Sequence, residues 1–168
     1  MMGAAQKVAP IFREYWEFNQ SWLDYVNEKW IPELGRVQKQ NNRSPEPTIK
    51  DFIERATIAF KGRDIPTRVV KAYISIQIPK ESADFSIQDG YDDQYPHVHG
   101  QSNATTLIHY LQPGDKPAPL DIFENGEVIE TIYPERGLTV FVPNDVWHGV
   151  RLNQGTTNRI QLIATAVG

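Results

Sequence analysis

The chain has 168 residues, with 17 lysines and arginines against 21 aspartates and glutamates, four histidines and no cysteine. Its length predicts a single domain over residues 1–168, and a net charge of −4 argues against a nucleic-acid partner. The lack of cysteine excludes disulfides, thiolate ligands and thiol nucleophiles. Neither a secretory signal nor an apolar run that could span a membrane is visible, so we expect a cytoplasmic protein with no membrane partner.

Residues 1–62 have the periodicity of helices. Between residues 11 and 30 apolar and aromatic side chains recur at spacings of three or four, which predicts an amphipathic helix that ends near Pro32. A second helix is predicted up to Gly62, with Thr48 as its N-cap. The apolar face of this second helix is expected to contain Ile49, Phe52, Ile53, Ala56 and Phe60.

Residues 68–167 have the pattern of short strands separated by turns. The first of them, RVVKAYISIQIP, alternates, and Val70, Ala72 and Ile74 are expected on its buried face. Asn125-Gly126 is typical of a type I′ hairpin turn. Seven or more such strands predict an α+β protein, mainly β, in which a β-barrel or jelly roll has the N-terminal helices packed outside it.

All four histidines lie in this β-rich part. His97 and His99 are separated by one residue, which places two imidazoles on the same face of a strand. His148 begins a later strand that can be their neighbour in a jelly roll. Three protein ligands that leave open positions are what a catalytic metal needs, so His97, His99 and His148 are the candidate ligands. The alternative is a surface pair with His148 as an ordinary barrel-edge residue.

Three segments in order resemble the double-stranded β-helix core of the iron(II)- and 2-oxoglutarate-dependent dioxygenases. They are PHVHGQSNATTLIHYL, GLTVFVPNDVWHGV and NRIQLIATAV, and the resemblance covers roughly residues 68–167. The small prolyl-hydroxylase-like oxygenases of bacteria and phages are the most similar subgroup. The resemblance implies iron(II) as the metal and 2-oxoglutarate and dioxygen as co-substrates. The expected reaction is hydroxylation of an unknown substrate, either a peptidyl side chain or a small metabolite.

Arg159 is the candidate residue for binding the co-substrate. Alternation in the strand RIQLI sends Arg159, Gln161 and Ile163 to one face, where a buried cation is costly unless it has an anion. The resemblance implies that this anion is the far carboxylate of 2-oxoglutarate, with Tyr110 donating a further hydrogen bond. Two alternatives stay open, namely an Arg159 that is solvated at the start of its strand and Arg151 as the cation.

His99 departs from the family pattern, which usually has an aspartate at this place. Asp92 or Asp93 from the preceding loop could be the third ligand instead, the metal could differ, or the chain could be an inactive relative. The spacing of His97 and His99 favours His99 over a loop carboxylate.

A cupin, another double-stranded β-helix protein that binds metal, is the main alternative class. Gly137, Pro143 and His148 fit the second cupin motif, but no glutamate follows the two clustered histidines as the first motif requires. A non-catalytic β-sandwich binding module is the third class.

Overall fold

A computed structural model describes residues 11–30, 47–65, 68–77, 79, 104–116, 118–151 and 153–168. Strand β1 is Phe12–Tyr15, helix α1 is Gln20–Tyr25 with a π-helical continuation over Val26–Trp30, and helix α2 is Pro47–Gly62. The later strands are β2 (Arg68–Gln77), β3 (Ala104–Gln112), β4 (Leu120–Glu124), β5 (Glu127–Ile132), β6 (Leu138–Pro143), β7 (Trp147–Val150) and β8 (Arg159–Val167). Neither helix in these ranges is long and apolar enough to cross a membrane.

The strands form two antiparallel sheets. One has the order β1-β6-β3-β8-β2 and the other the order β5-β4-β7. Strands β4 and β5 are joined by the predicted hairpin, in which Asn125 and Gly126 both have positive φ, 52° and 81°. This mainly β, jelly-roll-type arrangement confirms the predicted fold class.

Two apolar layers hold the fold together. One lies between the helices and the outer face of the five-stranded sheet, and the other lies between the two sheets. In α2 the predicted apolar face is confirmed, because Ile49, Phe52, Ala56 and Phe60 are fully buried in the outer layer. The helix begins at Pro47, one residue before the predicted cap Thr48, and proline is well suited to a first helical turn because the N–H it lacks would have no helical partner there.

The predicted helix over residues 11–30 is wrong for its first part. Phe12–Tyr15 form strand β1, which pairs with β6 at the edge of the five-stranded sheet. Helix α1 begins only after Asn19, whose side chain accepts a hydrogen bond from the Trp22 N–H at 3.2 Å. Pairing with the edge of the sheet gives the backbone N–H and C=O groups of this segment hydrogen-bond partners, and this tertiary stabilisation outweighs the helical spacing of its side chains.

Strand β2 departs from simple alternation at its start. The register with β8 shifts between Val69 and Lys71, and this bulge turns Val70 outward, where it is 44% exposed. Val69 packs against the outer core layer instead, so the prediction that Val70 is buried is wrong. Ala72 and Ile74 are buried as predicted.

Gly137 joins three parts of the chain at the start of β6. Its N–H donates to the Tyr110 carbonyl at 2.9 Å, and its carbonyl accepts from the Trp16 N–H at 2.9 Å. Its φ is +87°, and a Cβ at this position would lie 2.7 Å from the Trp16 carbonyl oxygen. Only glycine meets both requirements without strain.

Gly137→Ala should therefore lower the free energy of unfolding by about 2–4 kcal/mol, since it combines a left-handed backbone with a backbone clash. Gly126→Ala is the matched control, because Gly126 also has positive φ but no atom within 4 Å of the added Cβ. We expect the control to lose only about 1 kcal/mol in urea unfolding. Equal losses in the two variants would show that the contact with Trp16 does not matter.

Candidate functional site

A group of polar side chains lies on the inner face of the five-stranded sheet, facing the three-stranded sheet. Register places Gln77 of β2 opposite Arg159 of β8, and places Ser75 of β2 and Tyr110 of β3 on either side of Gln161. All five are buried. We call this set, Ser75, Gln77, Tyr110, Arg159 and Gln161, the interior polar patch.

Arg159 is the centre of the interior polar patch. It is 1% exposed, so the alternative of a solvated arginine at the strand start is wrong. Its Nε donates to Gln77 Oε1 at 3.1 Å, and its Nη1 donates to the carbonyls of Ala118 at 2.9 Å and Arg151 at 3.3 Å. These bonds fix the orientation of a buried guanidinium, a group that is stabilised by an anion and recognises carboxylates through paired N–H donors.

Arg151, the alternative cation, has a different environment. Its Nε donates to Asp121 Oδ2 at 2.8 Å, and its side chain is 39% exposed. Asp121 alternates along β4 with Leu120 and Ile122, which face the layer between the sheets, so Asp121 and the Arg151 guanidinium lie on the other side of that strand. Of the two arginines, Arg159 is the one directed into the interior.

Tyr110 can donate a hydrogen bond beside Arg159. Burial raises the pKa of its hydroxyl to about 12, and the positive charge of Arg159 acts in the opposite direction. The hydroxyl therefore keeps its proton at neutral pH. A protonated hydroxyl next to a guanidinium suits an anionic oxygen acceptor.

Gln161 contributes an unsatisfied polar atom to the same patch. Among the described residues, its buried Oε1 has no hydrogen-bond partner. A buried amide oxygen without a partner is costly, and such atoms mark places where a ligand or an ordered water completes the structure. The interior polar patch therefore fits a small polar molecule with a carboxylate at the Arg159 end.

His148 faces the same interior from the opposite sheet. It pairs with Ile122 of β4, which lies in the core layer between the sheets, and it is buried. Its Nδ1 lies 2.8 Å from the Val146 carbonyl, which can only accept, so Nδ1 carries the proton. In a neutral imidazole this leaves the lone pair on Nε2, the tautomer that a metal ligand requires, and an Nδ1–H bond to a carbonyl is the usual support of such a ligand.

The other predicted ligands lie outside the described residues: His97, His99, Asp92 and Asp93. The ranges that the structure describes contain no group of three histidine or acidic side chains that could hold a metal. The structure thus brings His148, Arg159 and Tyr110 to one interior, and the full ligand set stays a prediction.

His109, the remaining histidine, is not part of this site. It points to the helix side of β3, where its ring stacks on Trp16 at 4.6 Å between centroids and meets Trp22 edge-on at 5.8 Å. Its Nδ1 lies 2.9 Å from Thr139 Oγ1. Burial, helped by the charge of Arg55, lowers the pKa of His109 from 6.5 to about 3. His109 is therefore a neutral core residue.

The depressed pKa of His109 makes the fold sensitive to acid. Below about pH 6.5 this histidine is protonated in the unfolded chain but stays neutral in the folded chain, so stability is lost as the pH falls from about 6.5 towards 3. His109 should therefore lower the free energy of unfolding by about 2 kcal/mol between pH 7 and pH 5. Urea unfolding of the wild type and of His109→Phe, which keeps a stacked ring but cannot titrate, isolates it. The same pH dependence in both proteins would contradict the assignment.

Comparison with known proteins finds a match at the level of fold. No known family profile and no curated protein matches the sequence. The collagen prolyl hydroxylase of Paramecium bursaria Chlorella virus-1, solved with 2-oxoglutarate, is similar with a TM-score of 0.67 and 12% identity, over 94% of this chain and 96% of that one. Iron-bound HygX of Streptomyces hygroscopicus is similar with a TM-score of 0.67 and 8% identity, over 94% of this chain and 81% of that one. A prolyl-4-hydroxylase of Pseudomonas putida is similar with a TM-score of 0.59 and 13% identity, over 94% of this chain and 91% of that one.

The chain therefore has the fold of the iron- and 2-oxoglutarate-dependent oxygenases, and it resembles the small prolyl-hydroxylase-like ones among them. At these identities the likeness shows the fold alone.

Proposed function

We propose that this chain is an iron(II)- and 2-oxoglutarate-dependent oxygenase that hydroxylates a C–H bond of a peptidyl side chain or a small metabolite. One observation carries the proposal. Arg159 is buried and held in a fixed orientation in the interior polar patch, next to Tyr110 and on the same interior as His148. A buried guanidinium of this kind, with its paired N–H donors, suits a carboxylate ligand.

Arg159 binds the far carboxylate of 2-oxoglutarate in this proposal. Its Nε and Nη1 bonds to Gln77 and Ala118 hold the guanidinium plane still, and Tyr110 adds a neutral donor to the same carboxylate. Because these groups are buried, water competes little for the carboxylate, and each charge-assisted bond is stronger than it would be at the surface.

His148 is proposed to hold iron(II) together with His97 and His99. The Val146 carbonyl fixes its tautomer and the direction of its Nε2 lone pair. When bound, the iron and 2-oxoglutarate supply the oxidising chemistry, and the protein supplies orientation and a dry interior. Three neutral imidazoles leave the metal with one more net positive charge than two imidazoles and a carboxylate would.

Turnover of 2-oxoglutarate without the natural substrate tests the proposal. With iron(II) and ascorbate under air, the wild type should convert 2-oxoglutarate and dioxygen to succinate and carbon dioxide, with ascorbate reducing the second oxygen atom. His99→Asp, which restores the carboxylate that the family usually has, should keep or raise the yield, and His99→Ala should lower it.

Two outcomes of this measurement would count against the proposal. If neither wild type nor His99→Asp forms succinate above the metal-free blank, a cupin-type metal protein or a binding module becomes the better account. If His99→Ala leaves the yield unchanged, His99 is not a ligand, and Asp92 or Asp93 takes its place as the candidate.

A further inference from the structure

The interior between the two sheets has a second polar region, at the end opposite Arg159. Lys71 of β2, Thr165 of β8 and Thr106 of β3 lie side by side in register on the five-stranded sheet. Thr106 Oγ1 donates to Asn144 Oδ1 at 2.7 Å, and Thr165 Oγ1 lies 3.3 Å from Thr106 Oγ1. We call this set, Lys71, Thr106, Asn144 and Thr165, the rim polar group.

Alternation places the rim polar group on the inner face of the sheet. Ile108 and Ile163 belong to the core layer between the sheets, and Thr106 and Thr165 are each two residues away on the same strand face. Both isoleucines are buried, whereas both threonines are partly exposed. Arg159, at the other end of β8, is 1% exposed. Solvent therefore reaches the interior more easily at the rim polar group than at Arg159.

His148 lies between the rim polar group and Arg159. The Asn144 N–H donates to the carbonyl of the first residue of β3 at 2.9 Å, which fixes the chain just before β7 beside the rim polar group. Just after β7 the chain reaches Arg159, whose Nη1 donates to the Arg151 carbonyl at 3.3 Å. The step along β8 from Arg159 to Thr165 corresponds to about 20 Å, at about 3.4 Å per residue. A five-carbon dicarboxylate bound at Arg159 fills only part of this length.

The rim polar group offers hydrogen-bond donors to a ligand. Thr106 gives its proton to Asn144, so Thr165 donates in the contact between the two hydroxyls. Asn144 is 4% exposed, and no described residue accepts a hydrogen bond from its Nδ2. Lys71 forms no ion pair with another described residue, and its Nζ lies 5.0 Å from the centre of the Tyr73 ring. An ammonium beside a buried amide donor suits an anionic oxygen group.

We propose that the rim polar group binds an anionic group of the substrate, a carboxylate or a phosphate. The inference rests on the proposed function and narrows its substrate class, since His148 then lies between the co-substrate at Arg159 and the anionic end of the substrate. Lys71 supplies the charge, and Asn144 Nδ2 supplies directional donors. A neutral substrate without an acceptor here would leave the buried Asn144 donors unpaired, which is unfavourable.

The test follows isotope-labelled, full-length protein by nuclear magnetic resonance during addition of sodium acetate or inorganic phosphate. Metal-free protein is used because iron(II) broadens nearby signals. The Nδ2 protons of Asn144 and the backbone N–H of Thr165 should shift saturably with at least one of the two anions. Acetamide, the neutral analogue of acetate, should bind at least about 10-fold more weakly than the anion that binds. A shift with acetate alone identifies a carboxylate site, and a shift with phosphate alone identifies a phosphate site.

Two variants and a control assign the binding to these residues. Lys71→Met removes the charge and should weaken anion binding by about 10-fold. Asn144→Asp keeps an acceptor for Thr106 but replaces the donors by a negative charge, so the Thr165 signal should report a loss of at least about 10-fold. Lys61→Gln removes the same charge from an exposed position at the end of α2 and should stay within about 2-fold of wild type.

Two results would overturn the inference. One is the absence of any saturable shift at Asn144 and Thr165 in the wild type, and the other is an unchanged anion affinity in Lys71→Met. If Asn144→Asp does not fold, the comparison of Lys71→Met with Lys61→Gln decides. Residues with a purely structural role would change Tm and leave the anion affinity as it is in the wild type.

The outcome can be separated from that of the proposed function, because neither iron nor 2-oxoglutarate is present in this titration. Anion binding at these residues in a protein that forms no succinate leaves the anion site standing and contradicts the proposed function. Succinate formation by a protein that binds neither acetate nor phosphate at the rim polar group overturns the inference alone.

Discussion

Replacing Arg159 by leucine is expected to weaken 2-oxoglutarate binding by at least about 100-fold, since hydrogen bonds from charged groups contribute roughly 1.5–3 kcal/mol each. The guanidinium is buried and fixed by Gln77 and Ala118, so no solvated cation can replace it by a small shift. Calorimetric titration of anaerobic, iron-loaded protein gives the dissociation constants directly.

Two other arginines serve as controls for this experiment. Arg68→Leu removes the same charge from an exposed position at the opposite end of β2 and should change the affinity by less than about 2-fold. Arg151→Gln tests the alternative cation, whose side chain is held by Asp121. If Arg151→Gln abolishes binding and Arg159→Leu does not, the carboxylate-binding residue has been assigned wrongly.

Removal of the His148 imidazole is expected to have the second large effect. His148→Ala should lower iron(II) affinity by at least about 100-fold, because even the outer partners of metal-bound histidines contribute 10–100-fold. His148→Gln, which keeps a polar side chain of similar size, should lose nearly as much because an amide is a poor ligand for iron(II). Anaerobic iron titration followed by equilibrium dialysis measures both.

His109→Gln is the control for the loss of a histidine as such. His109 lies on the helix side of the sheet between Trp16 and Trp22, away from the interior that His148 faces. Iron affinity should be unchanged in this variant under conditions where it is folded. Equal iron binding by the wild type and His148→Ala would contradict the proposed metal site.

Much of the architecture could be predicted because local pattern and tertiary structure agree. Hydrophobic periodicity alone predicts the apolar face of α2 and the alternation of β8. The turn preference of Asn-Gly predicts the hairpin at Asn125 and Gly126. Where the two disagree, tertiary pairing decides. Phe12–Tyr15 carry a helical spacing and still form an edge strand, because β6 offers them a row of backbone partners.

The interior polar patch could be predicted only in part. Arg159 is recognisable because a charge begins an otherwise apolar strand. Ser75 and Gln77 lie on the polar face of β2, which the sequence suggests is solvated, whereas the structure buries both inside the barrel. Sequence alternation cannot distinguish a polar strand face that is exposed to water from one that lines a ligand site, because both have a period of two residues. The orphan Oε1 of Gln161 is visible only once its neighbours are placed.

The environment of His109 could not be predicted either. Sequence spacing places it on β3 but does not show that Trp16 and Trp22, about ninety residues earlier, pack against its ring. His97 and His99 lie outside the described residues, and their spacing in the sequence is the observation that supports them as ligands.

The metal and 2-oxoglutarate are proposed to share one site, bounded by His148 on one sheet and Arg159 on the other. Anaerobic titration of 2-oxoglutarate into iron-loaded and into metal-free protein tests it most directly. If the 1-carboxylate and 2-oxo group bind the metal while Arg159 binds the far carboxylate, 2-oxoglutarate should bind the iron-loaded protein at least about 10-fold more tightly, and by linkage it should raise iron affinity by the same factor. Equal affinity with and without iron would show that the two ligands do not meet, and the oxygenase assignment would fail.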